Sequence, residues 1–214
     1  MPPITLNGDT GITTPMYNGS IASNAVTPSV NMKNRIINGA MVISQRNGTS
    51  TVTPSSTDYL TDRWHVAMSQ SSKFTAAQSS TAPVGFSNSL LITSSSAFSV
   101  GASDYFVVRQ AIEGFNFADC NYGTANAKTV TLSFWVQSSL TGTFGGALYN
   151  ATGTRSYPFS YTISSANTWE QKSVTIAGDT SGTWVGATNG IGIQVNWSLG
   201  TGSTYSGTAS AWAA

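Results

Sequence analysis

Apolar residues fall into two textures along the chain, and the change comes at residue 34. Across residues 1–30, Ile4, Leu6, Ile12, Ile21 and Val26 stand singly among Gly, Pro, Ser, Thr and Asn. An apolar residue every few positions cannot fill a core alone. It can when several copies wrap around an axis or lie on another protein. Residues 1–33 therefore read as an extended N-terminal arm for anchoring and oligomerisation, ordered by its partners. Residues 34–64 are the hinge, and beyond them short apolar segments alternate with polar turns.

Residues 129–137, TVTLSFWVQ, carry the clearest period of two. Val130, Leu132, Phe134 and Val136 share one face; Thr129, Thr131, Ser133 and Trp135 share the other. Similar runs predict strands at 74–77, 84–93, 105–112, 143–149, 156–163, 169–176 and 190–197. In the last of these, Ile191, Ile193, Val195 and Trp197 stay in register. In 169–176, Val174 and Ile176 are out of phase with Trp169, which implies a bulge or a strand start. The run at 105–112 is apolar enough to be central, so Arg109 and Gln110 need partners if buried.

Earlier, residues 35–43 alternate imperfectly around Asn38-Gly39, a strong turn dipeptide suited to a hairpin tip or a bulge. Residues 59–68 read as a strand with Trp64, Val66 and Met68 on one face. There Trp64 fills the core and Asp62-Arg63 forms a fold-fixing pair beside it, with Arg63 bonding a carboxylate or strand-end carbonyls. About nine or ten short strands with Gly/Ser turns and no convincing helix define an all-β chain. The expected fold is an antiparallel, jelly-roll-like β-sandwich over residues 34–214.

Composition narrows the functional classes. Only 8% of the 214 residues are charged, nine basic against eight acidic, so no electrostatic footprint for nucleic acid or an anionic membrane exists. Ser, Thr, Asn and Gly supply the polar surface instead. The longest apolar runs fall far below a membrane span, so membrane insertion is not expected. Cys120 stands alone, which excludes an intrachain disulfide framework and a metal–thiolate cluster. The opening Met1-Pro2-Pro3 does not read as a signal peptide.

The ordered set NRIINGAMVISQRN, YLTDRW, RQAIEGFN, KTVTLSFWVQSS, NTWEQKSVTI, GDTSGTW and NGIGIQVNWSLGTGS resembles a large group of bacteriophage and prophage virion proteins, usually tail-fibre or receptor-binding proteins. The likeness covers roughly residues 34–212. It implies a sandwich similar to carbohydrate-binding modules, placed after an N-terminal attachment region. The implied location is the phage particle surface, on a tail or head fibre. The implied partners are other virion proteins through residues 1–33, further copies in a homotrimer, and host surface polysaccharide. Related chains commonly run on after residues 208–212 into at least one more strand. Here the expectation is a shorter variant, a missing final strand, or one supplied by a neighbouring copy.

Candidate chemistry follows from this. Sugars stack their apolar faces on exposed aromatics while their hydroxyls bond polar side chains. The candidates are Trp184 and Tyr205 in Gly/Thr-rich loops, then Trp135, Tyr149, Tyr157 and Tyr161, with Asn150, Arg155, Gln194 and Asn196. A polysaccharide depolymerase would need two facing carboxylates, one with a raised pKa. Glu113 with Glu170, or Asp104 with Asp119, are the pairs to consider, but no spacing argues for either. The expectation is a fibre component without enzymatic activity; a head fibre, a capsid decoration or purely architectural module, and a depolymerase are the alternatives. His65 is expected on the polar face of its strand. No cofactor is expected; a structural Ca²⁺ on Asp58, Asp62, Asp119 or Asp179 lacks the dense acidic run such a site uses.

Overall fold

The computed structural model describes residues 33–214. The chain divides into two units, Met1–Asn34 and Arg35–Ala214, and all of the expected arm but Lys33 lies outside the described residues.

The second unit is an antiparallel β-sandwich. Its strands are β1 (His65–Met68), β2 (Phe74–Ser79), β3 (Ser89–Ser94), β4 (Tyr105–Glu113), β5 (Val130–Val136), β6 (Gly142–Tyr149), β7 (Ser156–Ile163), β8 (Glu170–Ile176) and β9 (Ile191–Thr201). One layer is a five-stranded sheet in the order β1-β4-β9-β6-β7. The other consists of two separate strand pairs, β2-β3 and β5-β8. The pair β2-β3 covers Val66, Phe106 and Val108 with Phe74 and Ala76. The pair β5-β8 covers Leu148, Phe159, Ile193 and Val195 with Leu132 and Ile176. Trp197 touches both clusters, lying 5.4 Å from Trp64 and 5.5 Å from Phe134, centroid to centroid.

Alternation decides which face each side chain takes. In β4 the even positions, Phe106, Val108, Gln110 and Ile112, are buried, while the odd positions are partly exposed. Gln110 is wholly buried and satisfied: its amide donates to the Ile37 carbonyl at 2.9 Å and accepts from the Ile37 N–H at 2.8 Å. It thereby ties residues 35–38 to the sheet.

Four expectations differ, and the first is the strand expected at 84–93, which begins only at Ser89. Residues 35–43 form turns and no strand, because Asn38 (φ 53°) and Met41 (φ 55°) take left-handed backbone. The strand expected at 59–68 begins only at His65, since Arg63 at φ 74° interrupts the extended run. A short helix, α1 (Gly114–Phe117), continued by a 3₁₀ turn at Ala118–Cys120, follows β4. It packs so closely that a Cβ on Gly114 would sit 2.1 Å from the Gly186 carbonyl oxygen. Trp169 directly precedes β8, which explains its phase. At the C-terminal end, Ala213 and Ser156 exchange backbone bonds of 2.8 and 2.9 Å at the edge of β7. No helix among the described residues is long and apolar enough to cross a membrane.

Candidate functional site

The outward face of the five-stranded sheet carries polar side chains drawn from distant parts of the chain. The register sets His65 beside Arg109, Arg109 beside Asn196, and Ala111 beside Gln194. A register shift after Ile112 pairs Glu113 with Ile191, skipping Gly192. This turns Ile191 out of the core, where its period-two pattern would have kept it, and 37% of its surface is exposed. Gly192 is required at the shift: a Cβ there would meet Gly114 Cα at 3.0 Å and Phe117 Cβ at 3.1 Å.

These residues form a cleft of ≈ 280 Å³, lined by Tyr59, Arg63, His65, Arg109, Glu113 and Gln194, with Ala111, Asn189 and Ile191. That is just below the roughly 300–1,000 Å³ typical of small-ligand sites. Tyr59 is 45% exposed and its ring lies 5.2 Å from that of His65, tilted by 42°. The Arg46 guanidinium stacks 5.1 Å from the Tyr59 centroid.

Charge inside the cleft is partly cancelled. Arg63 Nη2 donates to Glu113 Oε1 at 2.6 Å and to the Ala111 carbonyl at 3.2 Å. Burial alone would raise the Glu113 pKa, but the bonds from Arg63 and, more weakly, Asn116 hold it below the usual carboxylate range. Arg109 Nε donates to His65 Nε2 at 2.8 Å, and Nη1 donates to the Tyr149 hydroxyl at 3.1 Å. His65 is therefore neutral, its pKa pushed down to about 4 by burial and by the charges of Arg109 and Arg63. Two buried polar atoms in the cleft wall, His65 Nδ1 and Arg63 Nε, have no hydrogen-bond partner.

The structure separates the expected glycan-binding residues. Trp184 does not stand free in its loop. It packs edge-on against Tyr122 at 4.9 Å and Trp212 at 5.4 Å, and its indole N–H bonds the Ser181 carbonyl. Tyr157 is core, and the edge of Tyr161 meets the Phe134 ring at 5.0 Å; burial pushes the Tyr161 pKa up to about 12. Asn150 is buried in the turn after β6, bonded to Thr154 and the Thr183 carbonyl. Arg155 makes a two-pronged pair with buried Asp179, both bonds 2.8 Å. Asn196 is buried and donates to the Ala147 carbonyl. Of the exposed candidates, Trp135 lies on the outer face of β5, and Tyr205 packs edge-on at 5.1 Å from Tyr105. Gln194 and, through Arg109, Tyr149 belong to the cleft.

Of the three anchors, Trp64 is buried in the core. The Asp62-Arg63 pair does not form: Asp62 accepts from the Gln45 N–H at 3.3 Å, while Arg63 turns to Glu113. Arg63 bonds a carboxylate and a strand-end carbonyl, but they are those of Glu113 and Ala111 and not the neighbouring Asp62.

The candidate carboxylate pairs are also held apart by different partners. Glu113 bonds Arg63, Glu170 bonds Lys172, Asp104 bonds Ser69, and Asp119 bonds Arg35. The four aspartates considered for Ca²⁺ are likewise divided, Asp58 being held by the turn at Ser55. No group of three His, Cys, Asp or Glu among the described residues could hold a metal.

The cleft residues were visible only one at a time in the sequence. Arg109 and Glu113 share a strand face by spacing, as do Tyr59, Arg63 and His65 within the segment 59–68, but the segments 59–65, 109–113 and 189–194 are remote from one another in sequence, so nothing local joined them.

No protein-family model matches the chain, and no curated protein matches it. Among solved structures, it is similar to the enzymatically active domain of tailspike protein 4 from bacteriophage CBA120. The likeness has 15% identity and a TM-score of 0.45, and covers 77% of this chain and 19% of that one. The chain thus spans about a fifth of the length of that structure. The neighbour's description as enzymatically active goes against the expectation of a chain without enzymatic activity, and that expectation is withdrawn.

Proposed function

We propose that the chain is a phage virion component whose outer-sheet cleft binds saccharide units of host-surface polysaccharide. The observation that carries this reading is the half-exposed Tyr59 ring, flanked in one cleft by Arg109, Gln194 and Asn189. An aromatic platform beside planar polar side chains suits the two surfaces of a pyranose, one apolar and one hydroxylated. The sequence resemblance to phage fibre and receptor-binding proteins supports the setting. In this reading residues 1–33 attach the chain to other virion proteins and assemble it as a homotrimer, from which weak sites gain avidity.

The test is an array of bacterial-surface glycans probed with the full chain and with Tyr59→Ala. Binding by the wild type, reduced about tenfold or more in the variant, is expected. Absence of binding to any saccharide, or binding indifferent to Tyr59→Ala, would overturn the reading. Released oligosaccharide, measured in the same incubations, reports whether binding leads to cleavage. Mass measurement of the full chain tests the homotrimer, and a monomer at micromolar concentration would count against it.

A further inference from the structure

We infer that the cleft selects acidic saccharides, with Arg109 receiving the carboxylate of a uronic-acid-type unit. This rests on the saccharide-binding reading of the same cleft and names the ligand class it takes. Arg63 and Glu113 neutralise one another across 2.6 Å, so the lining keeps one uncompensated charge, that of Arg109. No carboxylate among the described residues pairs with it; its two side-chain bonds run to the neutral His65 imidazole and the Tyr149 hydroxyl. A guanidinium carries five N–H donors, and those bonds leave the others without a protein acceptor.

Such a charge, partly removed from water, gains most from an anion it can grip with two parallel N–H bonds. The built geometry holds it ready. Arg109 is fixed between β1 and β6 by His65 and Tyr149, which restrains its long side chain before any ligand arrives. Precommitted rotamers lower the entropic cost of binding. Arg46, stacked against Tyr59, adds a second positive charge at the margin. The chain as a whole carries only +1, so the preference is a property of this cleft and not of a general basic surface. Tyr59 would take the apolar face of the ring, and Gln194 and Asn189 its hydroxyls.

The experiment is calorimetric titration of the full chain with oligogalacturonate and with the same oligosaccharide after reduction of its carboxyl groups. The acidic form is expected to bind at least about tenfold more tightly. That margin should shrink as salt shortens the Debye length from about 30 Å at 0.01 M to about 3 Å at 1 M. Arg109→Gln should abolish the margin, weakening the acidic form more than the reduced one. Because Arg109 also braces His65 and Tyr149, Arg109→Lys is the second variant: it keeps the charge, loses the two-pronged geometry, and should retain part of the margin. Thermal melts of both variants identify a folding defect, in which case Tyr59→Ala, which spares Arg109, must weaken acidic binding. Equal affinity for the two forms, or an acidic preference untouched by the Arg109 and Tyr59 variants, would overturn the inference while leaving saccharide binding intact. Failure of both forms to bind would overturn the inference, and the glycan array decides the saccharide-binding reading beneath it.

Discussion

The indole N–H of Trp64 donates to the backbone carbonyl of Asn38 across 3.0 Å. The largest side chain of the first core cluster is thereby tied to a left-handed turn residue twenty-six positions earlier. Asn38 also uses its side-chain amide to bond the carbonyls of Ile43 and Asp62, and accepts from the Ile43 N–H. One residue therefore organises the whole irregular segment that precedes β1.

Replacing Asn38 separates its two contributions. Asn38→Ala removes three hydrogen bonds and leaves a residue ill suited to φ 53°, so a loss of about 2–4 kcal/mol is expected. Asn38→Gly keeps the backbone conformation and should cost about 1 kcal/mol less than Ala. Equal urea midpoints for the two variants would show that the backbone conformation contributes nothing.

Arg63 offers a similar contrast with the opposite balance. Arg63→Ala loses the bond to Glu113 and keeps an L-residue at φ 74°. Arg63→Gly loses the same bond and relieves the backbone, so it should be more stable than Arg63→Ala by about 1 kcal/mol. Chemical denaturation of both decides the point; Arg63→Ala equal to or more stable than Arg63→Gly would contradict it.

The pH dependence of stability should carry the signature of His65. In the folded chain its pKa is pushed down to about 4, whereas an unfolded histidine titrates near 6.5. Between those values the unfolded state binds more protons, so stability falls as pH drops through the window and is level above it. The denaturation midpoint should therefore decline from about pH 6.5 towards about pH 4.5, and His65→Gln should flatten that decline. A wild-type midpoint constant across the window would refute this. Glu113 and Asp179, held below the ordinary carboxylate range, add their own loss only at lower pH.

Asp179 is the most buried partner in an ion pair among the described residues, its side chain 3% exposed beside Arg155. Asp179→Ala strands the guanidinium against Gly182, whose backbone leaves no room for a Cβ there. A loss of about 3–5 kcal/mol is expected. The double variant Asp179→Ala with Arg155→Met should recover part of it, since no charge is then left without a partner there. Melting of the three proteins measures the recovery, and none would mean that Arg155 finds another counter-ion.

Much of this architecture was legible in residue order. The alternation of Val130, Leu132 and Phe134, or of Phe106, Val108 and Ile112, names a strand and its buried face because side chains point to opposite sides every residue. The same rule failed at Ile191, where a register shift reverses the face, and at residues 35–43, where left-handed residues break extension. Neither leaves a periodic trace. The helix at Gly114–Phe117 escaped for a related reason: it is one turn long and held by close backbone contact around Gly114, not by an amphipathic pattern.

By itself, the sequence determined an all-β chain of short antiparallel strands, with Trp64 in its core, because burial and alternation are local properties of a strand. Tertiary structure alone decided which polar residues share a surface. Strand pairing sets His65 beside Arg109 and places Gln194 across from Ala111, contacts between segments remote in sequence. It also buried Tyr157, Asn150 and Asn196 and packed Trp184 into an aromatic cluster, while leaving Tyr59 open. Residue type says what a side chain can bind; only the fold determines whether anything can reach it.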